Sequence, residues 1–290
     1  MQGALAAGWR KGATFLEMIK FEHTIFALPF AYLAALLAAG GFPTAGQFVW
    51  ITLAMVGART AAMSLNRIID RAMDALNPRT AGRALPRGLL SVAEVWLYTL
   101  ASFALLTVAA WQLNSLCLKL MPVAVAVLVI YSYTKRWTWV CHLVLGVADG
   151  LAPMGAWVGI TAAFDLPGVL LWVAVSLWVA GFDVVYACQD IEFDRRYGVK
   201  SIPARFGLRA ALTTARIWHL LAFIFLVGTG VTAGAGPLYW TGLAVAGLLL
   251  VWEHRLVSPA DLSRVGQAFF NVNGYLSLLM LAAGLADALV

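Results

Sequence analysis

The 290-residue chain is 62% hydrophobic and only 12% charged, and its mean hydropathy is +0.84. Soluble domains carry nearer a quarter charged residues, so this balance excludes an ordinary globular protein and indicates an integral membrane protein. The net charge of +6 needs no nucleic acid, because basic cytoplasmic loops and affinity for anionic lipid or diphosphate account for it.

Residues 1–20 lack the long apolar stretch of a secretory signal, and Glu17 and Lys20 interrupt them. They read as an interfacial helix lying along the membrane surface. Apolar stretches of membrane-spanning length follow at 21–40, 47–65, 92–112, 115–134, 139–162, 168–189, 211–232, 236–254 and 268–289. The expected architecture is all-α: nine transmembrane helices around a central cavity, in one domain covering 1–290. The connections Gly40–Gln47, Gln112–Ser115, Phe164–Gly168 and Ala233–Pro237 carry one charge, Asp165. The alternate connections, Arg67–Ser91, Lys135–Arg136, Asp190–Arg209 and Arg255–Arg264, hold most of the Lys and Arg with the N-terminal tail. Basic loops stay inside, so the N-terminus and these loops are expected at the cytoplasmic face of an inner membrane.

Two acid pairs stand at the ends of the second and sixth stretches. Asp70 and Asp74 follow Asn66 in steps of four, and Asp190 and Asp194 repeat that spacing. On a helix such residues share a face, so their charges repel unless something positive lies between them. Pro78 disfavours helix at Asn77 and is expected to end the second helix there. Carboxylates ringed by Arg and Lys suggest Mg²⁺ bridging the protein to a diphosphate. Such ions neutralise the charge on a leaving diphosphate, and an allylic prenyl diphosphate gains most because its cation is resonance-stabilised. The short basic segments after the fourth and eighth stretches add a weak internal echo, as of two four-helix halves plus a ninth helix.

Arg79, Arg83 and Lys135 are the candidate phosphate ligands among the bases near these motifs. Arg59 lies two turns inside the second helix, where a charge is costly; Asp183 or an anionic substrate group is its expected partner. Asp183 is also a candidate acceptor for a substrate proton. Asp149 is a further buried acid, read as an acceptor for a substrate proton, as a substrate contact, or equally as an interhelical hydrogen bond. Asn271 and Asn273 read as interhelical polar contacts. Cys117, Cys141 and Cys188 read as small buried hydrophobes, and the four histidines form no metal motif. The tryptophans suit an interfacial belt. Buried Asp and Arg also suit a secondary transporter, although clustering of the acids at one face rather than the midplane speaks against it.

In order along the chain, these motifs resemble the UbiA superfamily of intramembrane aromatic prenyltransferases. Asn66, Asp70 and Asp74 match its NxxxDxxxD motif, and Asp190 and Asp194 its DxxxD motif. Arg79-Thr80 with Arg83-Ala84-Leu85-Pro86-Arg87-Gly88 is similar to its RT..R.LP.G segment, and Tyr131 to Arg136 to its Y-x-x-x-KR segment. Tyr186-Ala187-Cys188-Gln189-Asp190 and Lys200-Ser201-Ile202-Pro203 resemble the 4-hydroxybenzoate polyprenyltransferase branch. The resemblance implies Mg²⁺ at Asn66, Asp70, Asp74, Asp190 and Asp194, and a polyprenyl diphosphate donor. It also implies an aromatic carboxylate acceptor for ubiquinone or menaquinone. The Asn77-Pro78-Arg79-Thr80 form leaves 4-hydroxybenzoate and 1,4-dihydroxy-6-naphthoate both open, as it leaves other acceptors of the superfamily. No nucleic acid or protein partner is implied.

Overall fold

The computed structural model describes residues 11–20 and 24–290. The helices, in chain order, are α1 (Thr24–Ala39), α2 (Ala45–Leu76), α3 (Val92–Leu113), α4 (Ser115–Trp137) and α5 (Cys141–Thr161). They continue with α6 (Leu166–Ala187), a short α7 (Ile191–Tyr197), α8 (Ile202–Ala233), α9 (Pro237–Leu256) and α10 (Asn273–Asp287). A π-helical segment, Gln267–Val272, leads into α10. No strand occurs among the described residues beyond one isolated bridge, Ser258–Asp261.

Every apolar stretch read from the sequence carries a helix. Seven helices are long and apolar enough to cross a membrane, and α1, with 16 residues, is a shorter apolar helix. Nine crossings therefore exceed what length and composition support among the described residues. Lateral apolar side chains such as Leu97, Leu100, Trp111, Val123, Leu220 and Leu248 are exposed, as a lipid-facing surface requires.

Local chemistry sets the helix ends. Thr44 caps α2 and Ser91 caps α3, each in a reciprocal capping box with Gln47 or Glu94 three residues on. Asn77 is extended (φ −87°, ψ 119°) before Pro78, and α2 stops at Leu76 as expected. At 1.5 Å per residue α2 is about 48 Å long, against about 30 Å for a bilayer core. Its last turns, which bear Asn66, Asp70 and Asp74, can thus stand at the polar edge.

The sixth stretch behaves differently. It was expected to carry Asp190 and Asp194 on one continuous helix. Instead α6 ends at Ala187, a 3-10 turn takes Cys188–Asp190, and Asp194 lies on α7. Gly198 closes α7 in the left-handed region (φ 70°), which reverses the chain toward α8.

Helix α6 is the buried centre of the bundle and packs between α5 and α8. Gly146 and Gly150 of α5 permit that approach, since a Cβ at either would collide with Ser176 of α6. Without water to drive association, such close backbone contact is how helices adhere in lipid.

The described part of the N-terminal segment is helical at 11–18; the first ten residues of the expected interfacial helix lie outside the described residues. Phe15, Met18 and Ile19 pack against Ala84, Leu85, Leu90 and Val95, and Lys11 pairs with Glu94. This part of the segment is seated on the α2–α3 loop and the start of α3.

Candidate active site at the mouth of the bundle

The two acid motifs meet. Asn77 Nδ2 donates to Asp190 Oδ1 at 3.1 Å, across 113 positions of sequence. Arg79 grips the same carboxylate with two bonds, Nε to Oδ1 at 3.0 Å and Nη2 to Oδ2 at 2.5 Å. Its third nitrogen donates to the Tyr186 hydroxyl at 3.0 Å, and the guanidinium lies 5.1 Å from the Tyr186 ring centroid. Burial lowers the Arg79 pKa, and the hydrogen bonds and charge of Asp190 outweigh it, so the guanidinium stands above its ordinary value.

The stripe on α2 is ordered by its neighbours. Asp70 receives Lys135 Nζ at 2.5 Å, Arg136 Nη2 at 3.0 Å and Asn66 Nδ2 at 2.9 Å. Asp74 receives Arg83 Nη1 at 2.7 Å on Oδ1, while its buried Oδ2 has no partner. Asn66 turns its amide oxygen toward Arg67, whose Nη1 donates at 3.0 Å. Arg67 itself is buried and also donates to the Met18 carbonyl, tying the N-terminal segment to the site. Asp194 accepts from the Ser201 hydroxyl at 2.6 Å.

Asp183 does not pair with Arg59, contrary to one expectation. Its Oδ2 lies 2.7 Å from His142 Nδ1. The Ile202 backbone N–H donates to His142 Nε2, so the neutral ring carries its proton on Nδ1 and donates to Asp183. Arg59 makes no ion pair with any described carboxylate, and its buried Nε has no hydrogen-bond partner.

These residues border two connected spaces. A polar mouth of about 230 Å³ is lined by Asp70, Asp74, Asp190, Asp194 and Lys135 among others. A larger, mainly apolar cavity of about 850 Å³ lies beside it and holds Arg59 and Asp149 in its wall. Asn66, Arg79, Arg83, Tyr131 and Asp183 line both and so mark the threshold. Tyr131 is pinned there by its hydroxyl, which donates to the Ala62 carbonyl at 3.3 Å.

Sequence reasoning missed several partners. Arg136 stands in the sequence as one of the bases of the Lys135–Arg136 connection with no partner assigned, yet it holds both Asp70 and the Ile69 carbonyl. His142 and Ser201 had no local signal. Tyr186 did have one, because it precedes Asp190 by one helical turn. Asn273 is an interhelical contact as expected, donating to Glu253 and accepting from Trp178. Asn271 is exposed. The three cysteines are free, although only Cys188 is fully buried.

Comparison with known proteins gives this geometry its setting. The model of the UbiA prenyltransferase family matches residues 27–275. The chain belongs to the UbiA prenyltransferase family. It is 30% identical over 270 residues to a 4-hydroxybenzoate octaprenyltransferase of Aeromonas salmonicida, covering 91% of this chain and 92% of that one. It is 33% identical over 265 residues to the Xanthomonas campestris protein of the same name, covering 86% and 83%. Among solved structures, the apo form of a UbiA homolog from Aeropyrum pernix superposes with a TM-score of 0.84 at 35% identity, covering 93% of this chain and 98% of that one. A UbiA homolog from Archaeoglobus fulgidus, bound to GPP and Mg²⁺, shares the fold with a TM-score of 0.69 at 22% identity, covering 96% and 100%. As a UbiA-family enzyme the chain is a membrane-embedded prenyltransferase, not the secondary transporter that buried Asp and Arg also allowed.

The residues at the mouth fit a hard divalent cation. The donors are oxygens, and Asp74 Oδ2 is buried and unsatisfied beside them. No three acids, histidines or cysteines form a ready cage among the described residues. That suits an ion that takes one or two carboxylates and completes its shell with substrate phosphate and water.

Proposed function

We propose that the enzyme transfers a polyprenyl chain from its diphosphate to an aromatic carboxylate acceptor, with 4-hydroxybenzoate as first candidate and 1,4-dihydroxy-6-naphthoate as second. The convergence of Asp190 with Asn77 and Arg79 at the threshold between a charged mouth and an apolar cavity is the observation that carries this reading. Diphosphate belongs in the mouth, and the hydrocarbon tail and the ring belong in the cavity. The names of the curated relatives support the acceptor class.

Five mouth carboxylates, Asp70, Asp74, Asp183, Asp190 and Asp194, face six cations: Arg67, Arg79, Arg83, Lys135 and Lys200 in the lining, and Arg136 on Asp70. The mouth is thus near neutral before substrate arrives, and a diphosphate adds negative charge. Asp70, Asp74, Asp190 and Asp194 would hold Mg²⁺, with Asn66 steadying Asp70 through its amide nitrogen. Bound there, such ions would neutralise charge on the leaving diphosphate. Arg79, Arg83 and Lys135, released from their carboxylates, then turn to phosphate oxygens.

The allylic C–O bond breaks and its electron pair leaves with the diphosphate. The ring carbon ortho to the phenol attacks the allyl carbon, and the new C–C bond forms. The displaced ring proton passes to Asp183, which His142 holds at the threshold. Arg59, half-buried in the cavity wall with its Nε unpartnered, binds the acceptor carboxylate. The mouth faces the cytoplasm of a bacterial inner membrane, since the basic connections gather there.

The test is direct. The purified chain in lipid discs is given radiolabelled polyprenyl diphosphate, Mg²⁺ and a panel of aromatic acceptors. A prenylated hydroxybenzoate or dihydroxynaphthoate is the expected product. Turnover confined to acceptors without a carboxylate would exclude this acceptor class.

A further inference from the structure

Asp149 is a carboxylate of the cavity wall, within α5, that no described residue engages by hydrogen bond or ion pair. No hydrogen bond reaches it from any described residue, and it is not among the ion pairs. At membrane depth an unpartnered acid is costly. Leu145, Asp149 and Ala152 follow one another at helical spacing along α5 and line the cavity together. The adjacent face of α5 is locked: Gly146 and Gly150 abut Ser176, and Trp172 Nε1 donates to the Val147 carbonyl. Rotation of α5 to find a partner on α6 is therefore barred.

Among the described residues, Arg59, Asp183 and Tyr131 are the charged and titratable groups that interact with Asp149. Arg59 attracts it electrostatically but forms no ion pair with it. Asp183 repels it and is already held by His142. Tyr131 spends its hydroxyl on Ala62. A guanidinium and a carboxylate thus share one apolar wall, each with bonding capacity unspent. That pair fits a ligand with an anionic group at one end and a hydrogen-bond donor at the other.

We propose that Asp149 takes the hydroxyl end of the aromatic acceptor, accepting a hydrogen bond from its phenolic O–H while Arg59 takes the carboxylate. Asp149 is thereby the residue that selects a hydroxylated aromatic acid over one lacking the hydroxyl. This rests on the acceptor reading above and adds the second anchor point to it. With both ends held, the ring carbon beside the hydroxyl has a fixed orientation toward the allyl carbon.

The experiment uses the full chain in lipid discs, with Asp149→Leu and Asp149→Asn beside the wild type. Three quantities are read: KM for 4-hydroxybenzoate, the inhibition constant of benzoate, and the dissociation constant of geranyl diphosphate. Asp149→Leu is expected to raise KM by about tenfold or more, the scale of a lost hydrogen bond to a charged group. Asp149→Asn keeps an acceptor oxygen and is expected to raise it less; it also serves if the Leu variant does not fold. Benzoate inhibition and geranyl diphosphate binding are expected to stay at wild-type values. An unchanged KM in both variants overturns the proposal. So does an equal weakening of benzoate and 4-hydroxybenzoate, which would mean that Asp149 merely holds Arg59 in place. Failure of the acceptor reading would show in the wild type, as no turnover of any hydroxylated aromatic acid.

Discussion

The mouth and the deeper cavity handle charge in opposite ways. In the mouth nearly every carboxylate has a cation or hydroxyl on it: Lys135 and Arg136 on Asp70, Arg83 on Asp74, Arg79 on Asp190, Ser201 on Asp194. In the cavity neither Arg59 nor Asp149 has an ion-pair partner among the described residues, and Arg59 Nε has no hydrogen-bond partner. Side chains that neutralise one another can be exchanged for metal and phosphate at little net cost, because each group trades one charged partner for another. Charges left bare in an apolar wall gain only when a ligand brings the missing partner. The mouth is thus built for exchange and the cavity for selection.

Metal removal should separate the two most sharply. Treatment with EDTA is expected to reduce turnover to background and Mg²⁺ to restore it, while benzoate binding in the cavity is unchanged. Loss of benzoate binding along with turnover would break the division. Next in size, Asp70→Asn should lower turnover by about 100- to 1,000-fold, the scale for removing a preorganised electrostatic contact. Near-wild-type turnover in a folded variant would remove Asp70 from the chemistry.

Arg59→Leu tests the cavity. The acceptor KM should rise by about 10- to 100-fold, since a charge-assisted hydrogen bond contributes about 1.5–3 kcal/mol. Thermal stability should stay near the wild-type value, because Arg59 is only half-buried and has no ion pair to lose. A lower Tm would mean that Arg59 has a structural partner. The smallest effect is expected at Tyr186→Phe, which keeps the ring against Arg79 and loses one hydrogen bond of about 0.5–1.5 kcal/mol. The KM for the prenyl diphosphate should rise by a few-fold, with the acceptor KM unchanged.

Much of the mouth was legible because it is local. Helix periodicity places Asn66, Asp70 and Asp74 on one stripe, and Pro78 ends the helix beyond them; both hold in the structure. The second motif was legible in content but not in form. Its i, i+4 spacing promised one helix, yet the chain breaks at Ala187 and restarts at Ile191, and Asp194 turns to Ser201. No propensity in that stretch announces the break. It follows from the 3-10 turn and the reversal at Gly198 that carry the chain into α8. The partner of Asp183 was likewise out of reach, since His142 lies 41 positions away on another helix.

The amino-acid order alone determined a bundle of apolar helices with acids and bases gathered at one edge, because hydropathy and helical periodicity act over neighbouring residues. Only tertiary packing decided which acid meets which base, which charges stay bare, and that Arg79 would reach Asp190 across 111 positions. The cause is that glycines such as Gly146 and Gly150 of α5, packed against α6, fix the spacing and rotation of whole helices. Side-chain partners in the bilayer are chosen by that rotation rather than by sequence distance.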